Sequence, residues 1–194
     1  MLYEQHFYDN LDRGGEKMSG LKKILIVIGS VIALATGLNL YFQYQNHQEH
    51  MQLKTSFEER DNIVVLQRLM ASEKYASDIR KAGYTIPSDG AIRLDGVIYP
   101  LEIEGELHLK ISPPKKDAKD FQLFFITQIN EKQTHVAFIL DKNLNLIDSS
   151  YSQQNGNGKR EIVSIPQAEE DYLLRSVQSE IDDFMKKMYQ TLYG

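Results

Sequence analysis

The amino-acid sequence predicts an α+β protein in which an N-terminal transmembrane helix precedes a two-layer domain, an antiparallel sheet flanked by N- and C-terminal helices. Three observations carry this expectation. Residues 24–42 form an apolar run without a charge. Residues 55–82 and 167–192 repeat apolar positions at helical spacing. The stretch between them alternates apolar and polar residues, as strands do when one face is dry and the other wet.

Length and composition set the frame. The 194 residues allow one ordinary domain and an appendage, and 42% apolar and 10% aromatic content is that of a folded chain. Cysteine is absent, which excludes a disulfide framework, a thiolate nucleophile, a thiolate metal site and a lipoprotein attachment point. That suits a cytosolic protein or one exported across a single Gram-positive membrane. The formal net charge is −5; acidic and basic residues cancel before Gln43, so the acidity belongs to the remainder of the chain. An acidic domain argues against a nucleic-acid partner, whose phosphates require a basic face.

The apolar run comes first. At about 1.5 Å per helical residue, 24–42 reaches about 28 Å, close to the ~30 Å hydrocarbon core of a bilayer. A soluble helix of this length would carry a polar stripe, and only Ser30, Thr36 and Asn39 interrupt this one. Lys22 and Lys23 precede it, whereas the next charge is Glu49, so the positive-inside bias keeps the N-terminus cytoplasmic and sends the rest outward. Tyr41, Phe42 and Tyr44 stand where an interfacial aromatic belt belongs. Two alternatives remain open: cleavage of a signal peptide after the Ala33-Leu34-Ala35 pattern, and a buried helix of a soluble protein. Ahead of the run, Arg13 to Lys17 can be encoded by a purine-rich stretch of the kind that precedes a bacterial start, which makes Met18 a candidate native start. The expected organisation is therefore a cytoplasmic segment at 1–23, an anchor at 24–42, a polar stem at 43–54 and an extracytoplasmic α+β domain at 55–194.

Within that domain, Phe57, Val64 or Val65, Leu69, Ala76 and Ile79 share a face of an amphipathic helix over 55–82, and Gly83 supplies a stop. Residues 92–99 break at Asp95 and Gly96 as a tight hairpin would. Residues 101–111 alternate so cleanly that they predict one strand, with Leu101, Ile103, Leu107, Leu109 and Ile111 on one side and Glu102, Glu104, Glu106, His108 and Lys110 on the other. Two prolines at 113 and 114 open a charged loop, and strands follow at 121–129, 134–140 and 144–150. A flexible loop at 152–160 leads to a short strand at 161–165. Pro166 ends that strand and a closing helix follows over 167–192, its buried stripe marked by Leu174, Val177, Ile181, Phe184 or Met185, Met188 and Leu192.

Catalytic signatures are scarce. The sequence holds no G-x-S-x-G elbow, H-E-x-x-H motif, P-loop or dinucleotide fingerprint, and the NGNG at 155–158 reads as a turn. His47 and His50 lack a set of ligands that completes a metal site, and His108 and His135 become neighbours only if their strands pair. The expectation is thus a protein without catalytic residues, metal or cofactor. Glu102, Glu104 and Glu106, spaced about 6.6 Å apart along a strand, form an acidic row on the wet face and are the candidate partner-binding residues.

An anchor preceded by a short basic segment, an exported domain of this size, an acidic balance, no cysteine and no catalytic constellation together resemble the TipC-like membrane-anchored immunity proteins of streptococci and related Firmicutes. The resemblance is one of layout over residues 18–194. It implies a single-pass membrane protein whose extracytoplasmic domain binds and neutralises a cognate secreted toxin that attacks a cell-wall precursor, by non-catalytic occlusion. The alternative is a structural or accessory subunit of a cell-envelope secretion or conjugation machine.

Overall fold

The computed structural model describes residues 20–71, 73–86 and 100–194. The expectations placed on 1–19, including the start at Met18, and on the hairpin at 92–99 lie outside the described residues. The chain divides into two units at Glu49/His50.

The first unit contains the greater part of α1, Gly20–Glu58. From Ile24 onward this helix includes a window of mean hydropathy 2.1 with none of it buried, long and apolar enough to cross a membrane. Its apolar side chains are exposed all round, Ile24 through Val27 and Leu38 through Phe42 among them. A helix with no polar face and no protein cover has lipid as its matching solvent.

The second unit is the α+β domain. It begins with the 50–58 end of α1, where Leu53 is fully buried. The helix expected over 55–82 is broken into α1, α2 (Asn62–Met70), a 3-10 turn at Glu73–Tyr75 and α3 (Ala76–Lys81). The break is a Schellman motif: Asp61 N–H donates to Ser56 O at 2.9 Å and Arg60 N–H to Phe57 O at 3.1 Å, with Arg60 at φ 55°. Asp61 then caps α2, its Oδ1 accepting from the Val64 N–H at 3.2 Å. The apolar face nevertheless falls where periodicity places it, since Val65, Leu69, Ala76 and Ile79 are all buried. Gly83 ends α3 in the same manner at φ 91°, a conformation glycine adopts without a Cβ penalty.

Six antiparallel strands follow in a meander, ordered β1 to β6: Leu101–Ile103, Leu109–Ile111, Asp120–Ile129, Lys132–Asp141, Leu146–Gln154 and Arg160–Ile162. The single strand expected over 101–111 is instead the β1–β2 hairpin, in which Leu101 pairs with Ile111 and Ile103 with Leu109. The loop at 104–108 turns through His108 at φ 50° and buries Leu107, so the alternation of dry and wet residues survives the reversal. β3 and β4 pair over their full lengths, joined by Asn130 and Glu131 at φ 52° and 63°, the left-handed pair of a type I′ hairpin turn. At the β4–β5 corner Asp141 Oδ1 accepts from the N–H groups of Asn143 and Asn145 at 2.8 and 2.9 Å. A bulge at Ile139/Leu140 sets the register of β5.

The closing helix α4 spans Gln167–Tyr193 and buries Leu173, Val177, Ile181, Phe184, Met185 and Met188, a stripe of spacing three and four. Phe121, Leu123, Phe138 and Leu140 of the sheet belong to the same hydrophobic core with no or almost no exposure, each worth about 1.5–3 kcal/mol of apolar burial. Among the described residues, helices thus cover one face of the sheet only.

Two glutamates of α4 make polar contacts to the sheet and its loops. Glu170 Oε1 accepts from Ser149 Oγ and Tyr151 Oη, both at 2.6 Å. These hydrogen bonds hold the Glu170 carboxyl below the usual range, while burial and the neighbouring carboxylate push the Tyr151 phenol up. Farther along, Glu180 Oε1 accepts the Leu107 N–H at 2.8 Å, and its other oxygen is buried. Burial raises the Glu180 carboxyl above the ordinary glutamate value. A Cβ at Gly105 would lie 2.5 Å from the Glu180 carboxyl carbon, so a larger residue there displaces the end of that side chain.

Candidate functional site

The face of the sheet turned away from the helices is built by register. Glu102 pairs with Lys110, Lys110 with Phe124, Phe124 with Ala137 and Ala137 with Ser150, so these five side chains run side by side across five strands. The adjacent row is Ile126, His135, Ser152 and Ile162. Arg160, paired with Gln154, stands beyond it on β6. No described residue covers Phe124, Ile126 or Ile162, which are 41%, 50% and 86% exposed.

This face holds an open depression of about 540 Å³. Phe124, Ile126 and Ala137 give it an apolar floor; His108, Lys110, His135 and Arg160 supply nitrogen donors, and Ser150 and Ser152 hydroxyls. Among the described residues no carboxylate lines it, although Glu102 stands beside it with its Oε1 3.5 Å from Lys110 Nζ. The arrangement combines apolar contact area with a rim of nitrogen donors and hydroxyls.

The three glutamates expected in one acidic row are dispersed, because the strand that would align them reverses. Glu102 lies on β1 beside the depression, with a side chain 21% exposed, its Oε1 3.5 Å from Lys110 Nζ and its Oε2 3.9 Å from His108 Nε2. Glu104 is exposed in the β1–β2 loop. Glu106, in the same loop, is drawn to the helix side, where it accepts from Tyr172 Oη at 2.9 Å and pushes that phenol up. Only Glu102 therefore belongs to the open face. His108 and His135 do come to one site, both lining the depression. Among the described residues no group of three or more His, Asp or Glu side chains is placed to hold a metal ion.

Sequence reasoning passed over Phe124, Ile126, Arg160 and Ile162. A signal was present in FFITQI, residues 124–129, where three consecutive apolar residues cannot all face one side of a strand. Phe125 takes the core, and Phe124 and Ile126 are left outside.

No protein-family model matches the chain, and neither a curated protein nor a solved structure is significantly similar to it.

Proposed function

We propose that this protein is a membrane-anchored extracytoplasmic binding protein that neutralises a secreted antibacterial toxin by occupying part of its surface. The observation that carries the reading is the uncovered face of the sheet, where exposed Phe124, Ile126 and Ile162 are rimmed by Lys110, His135 and Arg160. Exposed aromatic and aliphatic anchors beside cations are what a protein interface uses at its centre. A stable complex needs about 1,200–2,000 Å² of total burial, and a six-stranded sheet face with its loops offers a surface on that scale. The apolar helix supports the rest: held at the outer leaflet, with Lys22 and Lys23 on the cytoplasmic side, the domain would meet an incoming toxin at raised local concentration. The resemblance in layout to the TipC-like immunity proteins supports the same role.

The test is protection. Cells sensitive to the toxin secreted by the strain of origin are made to display the full chain, and they survive its culture supernatant. The Phe124→Asp/Ile126→Asp variant, displayed at equal level, fails to protect. Sensitivity that persists despite correct surface display of the unaltered chain refutes the immunity role. Recovery of several stably bound membrane proteins in that case would favour a subunit of an envelope machine.

A further inference from the structure

We infer that Asn157 is a site of spontaneous covalent modification, its side-chain amide hydrolysing to aspartate and isoaspartate, while Asn155 in the same N-G-N-G run is held back by the fold. Both asparagines precede a glycine, whose backbone nitrogen carries no neighbouring side chain to shield it. By sequence the two are equal. The hairpin between β5 and β6 separates them. Its turn is closed by the Gly158 N–H donating to Asn155 O at 2.9 Å and by the Asn155 N–H donating to Lys159 O at 2.8 Å, with Gly158 at φ 76°. Asn155 is half-buried and anchors this turn. Its Oδ1 accepts from the N–H groups of Asn157 and Lys159, each at 3.0 Å, and its Nδ2 donates to Glu161 Oε1 at 2.6 Å. Asn157 is exposed at the tip, and among the described residues no hydrogen bond holds its carboxamide. In the reaction the Gly158 nitrogen gives its proton to hydroxide and attacks Asn157 Cγ. The Cγ–Nδ2 bond breaks, ammonia leaves with a proton taken from water, and a second water opens the resulting succinimide ring at either carbonyl. At Asn157 ring closure breaks one hydrogen bond, from Gly158 to Asn155. At Asn155 closure onto Gly156 draws the carboxamide off two backbone amides and off Glu161, three hydrogen bonds in all. The difference of two bonds slows Asn155 by roughly ten- to a hundredfold relative to Asn157. Opening of the ring at the backbone carbonyl leaves an extra methylene in the main chain of the turn, which undoes the bond between Gly158 and Asn155.

The experiment ages the full chain in phosphatidylcholine nanodiscs at pH 8. Samples are digested in acid, where the reaction stalls, and peptide mass mapping follows conversion at each asparagine while isoaspartyl methyltransferase labels the isoaspartate. Conversion is expected at Asn157, with Asn155 lagging by roughly ten- to a hundredfold. The Gly158 amide should lose hydrogen-exchange protection in proportion to the isoaspartate formed. Asn157→Gln leaves every bond of the turn in place and should stop conversion at that position. Glu161→Ala frees Asn155 Nδ2 and should speed conversion at Asn155 severalfold without changing Asn157. In urea, where the hairpin is lost, the two asparagines should convert at closely similar rates. Asn155 converting as fast as Asn157 in the folded chain overturns the inference. So does a preference for Asn157 that persists in urea, or no conversion at either site under conditions in which a free Asn-Gly peptide converts.

Discussion

Glu170→Gln is the perturbation that most directly probes how the sheet is held rigid behind its open face. Glu170 sits in the first turn of α4 and accepts two hydroxyl hydrogen bonds at 2.6 Å from Ser149 and Tyr151. A bond to an ionised acceptor is roughly twice as strong as a neutral one, so replacing the carboxylate by an amide forfeits about 1 kcal/mol for each of the two. The favourable charge at the positive end of the helix adds about 0.3–1 kcal/mol. Discounted for partial solvent exposure, the expected loss is about 1–2 kcal/mol at pH 7. Urea unfolding of the full chain in detergent micelles, followed by tyrosine fluorescence because tryptophan is absent, measures it. The hydrogen bonds lower the folded-state pKa of Glu170, so the stabilisation is fully present above the unfolded glutamate value and is lost as pH falls through the folded one. The gap between the two proteins should therefore close in acid. An undiminished gap at pH 3, or no gap at pH 7, refutes the assignment of Glu170 as an ionised bolt between α4 and β5.

Other substitutions test other links. Phe184→Ala removes a fully buried ring that meets Tyr84 edge-on at 4.8 Å, and should cost about 3–5 kcal/mol in the same unfolding assay. Glu180→Gln should leave stability unchanged or raise it at pH 8. Burial raises the Glu180 pKa, so the native protein loses this contribution as pH rises from the unfolded value through the folded one, whereas the amide does not titrate. Gly105→Ala should push the Glu180 carboxylate off the Leu107 N–H, cost about 1–3 kcal/mol and expose that amide to hydrogen exchange. Arg60→Gly relieves a left-handed residue in the Schellman turn and should stabilise by up to about 1 kcal/mol, read as a rise in the urea midpoint.

Sequence periodicity captured the elements whose patterns have a single structural solution. Helix α4 repeats its apolar residues every three or four positions, and β3 and β4 lie either side of Asn130 and Glu131 in the register that places Phe121 opposite Leu140 and Leu123 opposite Phe138. The two missed reversals have physical causes. The 104–108 loop preserves the two-residue period across a turn, with His108, and not a glycine, taking the left-handed conformation. At 59–61 the turn is likewise closed by Arg60, so no glycine or proline marks the end of α1. The first of these disperses the expected acidic row: once β1 and β2 are read as a hairpin, Glu102 and Glu106 point to different sides. The open depression is lined instead by Lys110, Phe124, Ile126 and Arg160, which only the register brings together.

Because the chain contains no cysteine, one introduced thiol reports on the central claim without interference. Ile126→Cys, in the full chain expressed in intact cells, is treated with a membrane-impermeant maleimide. Labelling from outside, slowed when the toxin is bound, is the result expected of an anchored domain presenting its open sheet face to the exterior. A thiol that reacts only after the membrane is permeabilised, or one that the toxin leaves equally reactive, contradicts it.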